Sequence, residues 1–154
     1  MDQIQQSTLV PASLLEGQDP RCFLSAVYPD VPSGARVSRL DFPQYEATLI
    51  YLDDGGRPEL ARLLEALPSI PDYNRIAASY KGGALYVAVA QGGRLLLANT
   101  YPAADFTTAE YYIFLVMKSL QLNPEISVIR FATPIDEEQE ISLSRYFKSV
   151  EPLP

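Results

Sequence analysis

NRIAASYKGGALYVAVAQGGRLLLANTY, residues 74–101, contains the clearest structural pattern in the chain. Two diglycines, Gly82-Gly83 and Gly92-Gly93, lie ten residues apart, and glycine readily supplies the positive φ angles of tight hairpin turns. They divide the stretch into three strands, the middle one about eight residues long. Both alternating sets of side chains in the middle strand are apolar. We therefore expect an antiparallel meander covered on both faces, with helices on one of them.

A helix is predicted directly after the meander. Thr107-Thr108-Ala109-Glu110 has the spacing of a capping box and precedes an apolar run, as that motif usually does. Asn123-Pro124 is a stop signal. The apolar positions that repeat at helical spacing are Ala109, Tyr112, Ile113, Val116, Met117 and Leu120. This stripe is expected to pack on the sheet, with Lys118 outside.

A strand and a second helix complete this half of the chain. Residues 126–131 predict a strand, and the acidic segment 136–140 favours the positive end of a helix dipole. The apolar positions expected in the second helix are Ile141, Leu143, Tyr146, Phe147 and Val150. The predicted order is strand, strand, strand, helix, strand, helix in a mixed sheet flanked by helices. This order is typical of a ribonuclease H-like or actin-like lobe.

The first half of the chain is organised differently. Residues 1–71 hold eight of the thirteen prolines, so we predict a loop-rich partial lobe there. Residues 72–154 would form the core of a single domain that spans 1–154. Within the first half we expect one helical turn at 11–16, a short strand at 22–28, a loop at 34–43 and a strand at 45–52. A helix follows Pro58, with a buried stripe of Leu60, Leu63, Leu64 and Leu67.

These patterns resemble a bacterial family of unknown function whose members have an actin-like ATPase fold. The likeness is carried by the meander, by FTTAEYYIFLVMKSLQLNPE (106–125) and by LSRYFKSVEPL (143–153). It is best in the second half of the chain. From the resemblance we expect a truncated N-terminal lobe and a nearly absent strand–helix segment between Leu67 and Asn74. The family has no assigned activity, so the resemblance implies a scaffold rather than a reaction.

The resemblance also identifies one turn as the place to look for a phosphate-binding site. In active actin-like ATPases, the first strands turn through a glycine-rich loop with an Asp that holds Mg²⁺ and phosphates. Here residues 76–83 offer the glycines and no acid. Lys81, Gly82 and Gly83 are thus weak candidates for binding a phosphate through backbone N–H groups, although a hairpin turn alone explains the diglycine. No cofactor is expected.

Composition excludes several function classes. The 154-residue chain has no histidine, so it cannot form a Ser-His-Asp or Cys-His nucleophilic site or a histidine zinc site. Its net charge of −7 argues against nucleic-acid binding. Residues 1–7 lack the pattern of a signal peptide, and the longest apolar run, 111–117, is too short for a membrane helix. We expect a cytoplasmic protein, without membrane insertion, whose Cys22 is a core residue in a reducing compartment.

The acidic segments have ordinary explanations. Asp53-Asp54-Gly55-Gly56 lacks the further oxygen ligands of a calcium loop, and a solvated turn accounts for it. The acids of 136–140 fit the first turn of a helix. We therefore predict no metal site and no catalytic residues.

Tyrosine gives a more specific signal. Tyr111 and Tyr112 are adjacent in the predicted helix and about 100° apart, so one of them should be partly exposed. Because tyrosine is enriched in interfaces, Tyr111 and Phe114 are candidates for a partner-facing patch. The alternative is a helix buried on two sides.

Three functional hypotheses follow. The first is a non-catalytic binding or assembly module that associates with a protein partner or as a homodimer. The second is a degenerate nucleotide-binding ATPase-like lobe that uses the turn at residues 81–83. A ribonuclease H-type nuclease ranks third, because it needs clustered carboxylates for two metal ions and the first strand of the meander has none.

Overall fold

A five-stranded mixed sheet forms the centre of the protein. The computed structural model describes residues 5–154. The strands are β4 (Asn74–Lys81), β5 (Ala84–Gln91), β6 (Arg94–Pro102), β7 (Val128–Phe131) and β8 (Ser149–Pro152). Their order in the sheet is β6-β5-β4-β7-β8. The first three form the predicted antiparallel meander, and β7 and β8 continue the sheet in parallel to β4.

The first half of the chain is more regular than predicted. It contains a second, antiparallel sheet of order β1-β3-β2. Its elements are β1 (Ser7–Pro11), α1 (Ala12–Leu15), α2 (Pro20–Val27), β2 (Val37–Phe42), β3 (Ala47–Leu52) and α3 (Glu59–Ala66). The predicted leucine stripe of α3 is confirmed, since all four of its leucines are buried.

Both faces of the five-stranded sheet are covered, as the apolar middle strand predicts. On one face lie α4 (Phe106–Ser119) and α5 (Glu137–Ser144), which share a core with Leu85 and Val87 of β5. On the other face, Tyr86 and Ala88 of β5 share a core with α3 and with Leu49 of β3. Strand β5 is therefore buried over nearly its whole length.

Three predictions in the first half are wrong. Residues 22–28 are not a strand: α2 begins at Pro20, the Asp19 carboxylate accepts a hydrogen bond from the Arg21 N–H at 3.0 Å, and Leu24 is buried. Residues 34–43 are not a loop, because β2 pairs with β3 along six residues. Cys22 is exposed on α2 and is not a core residue.

The second half differs from prediction at the helix ends. Asp105, not Thr107, caps α4 and accepts from the Thr108 N–H at 2.8 Å. A capping box is found instead at the start of α5, between Asp136 and Gln139. The second helix was predicted to reach Val150, but α5 ends at Ser144 and Val150 enters the core from β8. Helical spacing alone does not distinguish an apolar residue buried by a helix from one buried by the strand that follows it.

The apolar stripe of α4 is confirmed at its centre. Ala109, Ile113, Val116 and Met117 are buried, whereas Lys118 is exposed. Among residues 5–154 there is no helix with the length and apolar character needed to cross a membrane.

The orientation of α4 yields a stability prediction. Val116→Asp should lower the free energy of unfolding by several kcal/mol, because it buries an unpaired charge. Ser119→Asp, three residues further along at an exposed position, should cost at most about 1 kcal/mol, the order of an unfavourable helix-dipole interaction. Urea denaturation of the two variants in dilute solution measures both values. Equal unfolding midpoints would show that the buried face of α4 is assigned incorrectly.

Candidate functional site

The β4–β5 turn contains the three residues that the resemblance singled out. Gly82 and Gly83 have φ angles of +59° and +72°, and Lys81 pairs with Ala84 across the hairpin. The Gly83 carbonyl accepts a hydrogen bond from the Ala103 N–H at 2.8 Å. The diglycine is therefore required by the tight turn.

The side chain of Lys81 is held by a buried carboxylate from α3. Its Nζ lies 2.7 Å from Oε2 of Glu59, which is only 4% exposed. Oε1 of Glu59 accepts hydrogen bonds from Ser79 Oγ at 2.7 Å and from Arg62 Nη1 at 3.2 Å. We call Glu59, Arg62, Ser79 and Lys81 the Glu59 cluster.

The surroundings of Glu59 keep it ionised at neutral pH. Burial raises the pKa of its carboxyl group, but hydrogen bonds from Lys81 and Ser79 and the charges of Lys81 and Arg62 lower it. The lowering contributions prevail, so the pKa lies below its usual value of 4.5. A buried carboxylate is stable only when it is paired and hydrogen-bonded in this way.

The Glu59 cluster joins distant parts of the chain. The Gln5 side chain accepts a hydrogen bond from the Glu59 backbone N–H at 2.7 Å and so serves as a cap for α3, because Pro58 at the N-cap has no side-chain acceptor. The Gln5 N–H in turn donates to the hydroxyl of Tyr86 at 3.4 Å. Arg62 also donates to the Ala132 carbonyl, just after β7, at 3.0 Å.

Chemically, the Glu59 cluster is a satisfied ion-pair network. Its carboxylate is enclosed by donors, and the Lys81 ammonium, on a side chain 48% exposed, is already bound to that carboxylate. Glu59 is not predicted from the sequence, because an acid in the first turn of a helix is accounted for by the helix dipole and no local signal shows that Lys81 folds back onto it.

A second feature lies on the opposite face of the five-stranded sheet. We use the name α4–α5 surface for the large apolar side chains Tyr111, Phe114 and Leu115 of α4, Ile141 of α5, and Tyr146 just after α5. Four of them are strongly exposed: Tyr111 by 62%, Tyr146 by 53%, Ile141 by 51% and Leu115 by 40%. Phe114 is half-buried, and its ring lies edge-on to that of Tyr146 at a centroid distance of 4.9 Å.

The two adjacent tyrosines of α4 behave differently. Tyr112 is half-buried and stacks on Tyr101 at a centroid distance of 4.8 Å, whereas Tyr111 points to solvent. The exposure expected for one member of the pair is thus found at Tyr111. The role of Tyr111 and Phe114 in an interface stays a prediction.

A groove of about 800 Å³ runs between the first turns of α4 and the whole length of α5, from Asp136 to Arg145. Glu110 lies in it: one carboxylate oxygen accepts from Ser142 Oγ at 3.0 Å, and the other is buried without a hydrogen-bond partner among the described residues. Glu137, Glu138 and Arg145 also line the groove. It therefore adjoins the α4–α5 surface, with which it shares Ile141.

The other acidic run, Asp53-Asp54, accepts hydrogen bonds from nearby residues. Asp53 accepts hydrogen bonds from Ser38 Oγ at 2.6 Å and from the Gly55 N–H at 2.9 Å, and Asp54 accepts from the Gly56 N–H at 3.0 Å. In residues 5–154 no group of three or more Cys, Asp or Glu side chains could hold a metal ion.

Comparison with solved structures defines the class of the fold. The chain is similar to a protein from Bacteroides thetaiotaomicron described as having an actin-like ATPase fold and unknown function, with a TM-score of 0.77 and 15% sequence identity. The match covers 97% of this chain and 65% of that longer one. The protein thus has the predicted actin-like, ribonuclease H-like fold.

The amino-acid sequence matches the model of one protein family. Residues 58–150 match the model of the family described as "Protein of unknown function (DUF3822)", and the chain belongs to that family. The expected family resemblance is therefore confirmed. No curated protein gives a significant match.

The lowered pKa of Glu59 gives a pH prediction. Glu59→Gln should reduce the free energy of unfolding at pH 7 by on the order of 2 kcal/mol, since it replaces charge-assisted hydrogen bonds. A carboxylate with a depressed folded pKa stabilises the protein above its unfolded pKa, and this stabilisation is lost as pH falls through the folded pKa. The difference between wild type and Glu59→Gln should therefore be constant down to about pH 5 and shrink below the usual value of 4.5.

The control for this series is Glu65→Gln. Glu65 lies on the same helix in an ion pair with Arg57 in which both side chains are about half exposed, and such pairs contribute at most about 1 kcal/mol. Chemical denaturation from pH 7 to pH 3 measures all three proteins. A wild-type advantage over Glu59→Gln that persists undiminished at pH 3 would contradict the ionised, paired state of Glu59.

Proposed function

We propose that the protein is a non-catalytic binding or assembly module of the cytoplasm, which presents its α4–α5 surface to a protein partner. The observation that carries the proposal is the exposure of four large apolar side chains on α4, on α5 and just after α5. Full burial of such a side chain in an interface would contribute up to roughly 1.5–3 kcal/mol to the binding free energy. Large apolar side chains exposed on the same side of a protein are typical of an interaction site.

The composition of the α4–α5 surface supports a protein as the partner. Two of its exposed residues, Tyr111 and Tyr146, combine a large apolar ring with a polar tip, and tyrosine is enriched in protein interfaces. The net charge of −7 disfavours nucleic acid. Phe114 beneath Tyr146 holds that ring in place, so the surface is partly pre-organised for binding.

A second candidate function is a degenerate nucleotide-binding lobe at the β4–β5 turn. One observation favours it: Glu59 brings an acid within 2.7 Å of Lys81, although the loop itself has none. That acid is nearly inaccessible and its oxygens already bind three donors. A phosphate would have to compete with Glu59 for Lys81, so we favour the binding module.

We predict that ATP with Mg²⁺ does not stabilise the protein. A ligand that binds the folded state at a hundredfold excess over its dissociation constant adds about 2.7 kcal/mol to the free energy of unfolding. The measurement is a thermal-shift titration to millimolar ATP with Mg²⁺, repeated with Lys81→Met. A stabilisation of that size in the wild type, lost in Lys81→Met, would favour the nucleotide-binding lobe instead.

We also predict that position 111 contacts another protein in cells. A photo-crosslinking phenylalanine analogue in place of Tyr111 should give a discrete cross-linked product upon irradiation of cells of the source organism. The same analogue in place of Tyr73, an even more exposed tyrosine outside the α4–α5 surface, is the control. Absence of any product specific to position 111 would remove the basis for the proposed function.

A further inference from the structure

We propose that the side chain of Asn99 keeps a further strand from adding to the outer edge of β6, and that without this side chain β6 pairs with β6 of a second copy of the chain. Strand β6 has nine residues and forms one end of the five-stranded sheet. No strand in the described part of the chain pairs with its outer side. An unpaired edge of this length is a general site of strand addition. The inference does not depend on the proposed function.

The register with β5 shows which backbone groups of β6 point outwards. The Ala103 N–H donates to the Gly83 carbonyl at 2.8 Å, directly beyond the last residue pair of β5 and β6. In an antiparallel pair of strands, residues that exchange hydrogen bonds alternate with residues that do not. The residues whose backbone groups point away from β5 in this part of β6 are therefore Ala98, Thr100 and Pro102.

Two of these three positions offer no donor to an added strand. The Thr100 N–H donates to the side-chain oxygen of Asn99 at 2.9 Å, and Pro102 has no N–H. Proline is found on edge strands for this reason. A strand that adds to β6 would first have to displace the exposed Asn99 side chain from the Thr100 N–H.

The remaining parts of the two sheet edges have other protection. At its beginning, β6 has the exposed Arg94, and its pairing with β5 is irregular next to Ala90; charges and bulges both hinder strand addition. The opposite edge strand, β8, has only four residues. There the Leu153 N–H donates to the Phe131 carbonyl at 3.0 Å, so the preceding Pro152 points outwards. The middle of β6 depends on a single side chain.

A second copy of β6 is the strand that fits the released edge. Residues 95–101 contain no charge and no proline, a composition that favours association of identical strands. When two β6 strands lie antiparallel about a twofold axis at Asn99, each Ala98 faces Thr100 of the other copy. Such a pair exchanges two hydrogen bonds, and one of them requires the Thr100 N–H that Asn99 occupies.

The test compares valine at two neighbouring positions of β6. Asn99→Val removes the acceptor and releases the Thr100 N–H. Thr100→Val is the matched control: it also makes the strand more apolar, but its backbone N–H stays bound to Asn99. It removes only a hydroxyl that is buried without a hydrogen-bond partner among the described residues. In a third protein, Asn99→Val/Thr100→Pro, proline takes away the released donor.

The masses of all proteins are measured by light scattering at equal concentrations, and amide exchange at Ala98 is measured by NMR. Circular dichroism checks that each variant is folded, and Asn99→Leu, which also lacks the acceptor, replaces Asn99→Val if the latter does not fold. Asn99→Val should associate at least about tenfold more tightly than wild type, because each dimer regains two backbone hydrogen bonds. Thr100→Val and Asn99→Val/Thr100→Pro should keep the mass of wild type.

The amide of Ala98 identifies the surface that associates. In associated Asn99→Val its exchange should be much slower than in wild type, because this N–H becomes bonded to the second strand. The inference would be overturned by Asn99→Val that keeps the mass of wild type up to millimolar concentration. It would equally be overturned if Thr100→Val or Asn99→Val/Thr100→Pro associated as tightly as Asn99→Val, or if Ala98 in associated Asn99→Val exchanged as fast as in wild type.

Discussion

Strand β5 is apolar on both faces, and the need to cover both faces determines the rest of the structure. On one side its Leu85, Val87 and Val89 pack against α4 and α5. On the other side, Ala88 and Ala90 leave room for α3 and the three-stranded sheet to approach closely. Because apolar area left in water costs about 25 cal/mol per Å², the meander requires the first half of the chain as its second cover.

Covering the alanine face places Glu59 in the interior. Helix α3 buries its leucines against β4 and β5, and its first residue then lies beside the end of β4, where water is largely excluded. The desolvation of a carboxylate has to be offset by donors, and Lys81, Ser79 and Arg62 provide them. The lysine that a phosphate loop would offer to a ligand is therefore engaged in stabilising the fold, and a likeness in fold does not transfer the chemistry.

The sequence predicts those features whose causes are local. The diglycine turns, the eight-residue middle strand and the buried stripe of α4 depend on residues within one or two elements, and all three are found. Two of the errors involve distant partners: β2 is a strand because β3 pairs with it, and residues 149–152 form β8 because β7 offers an edge. The Glu59 cluster also depends on tertiary structure. Lys81 and Glu59 lie 22 residues apart in the chain, and the packing of α3 brings them into contact. No motif encodes that contact.

The shared direction of α4 and α5 is a consequence of topology. Acidic residues at the start of a helix and basic residues at its end each stabilise that helix through its dipole by about 0.3–1 kcal/mol. Two successive crossovers between parallel strands orient α4 and α5 alike, so the aspartates that cap the two helices, Asp105 and Asp136, lie at corresponding ends. Because the Glu59 cluster lies on the other side of the sheet, substitutions at exposed positions of the α4–α5 surface leave the ion-pair network intact. Stability at low pH and the proposed association through the α4–α5 surface are thus physically separable in this fold.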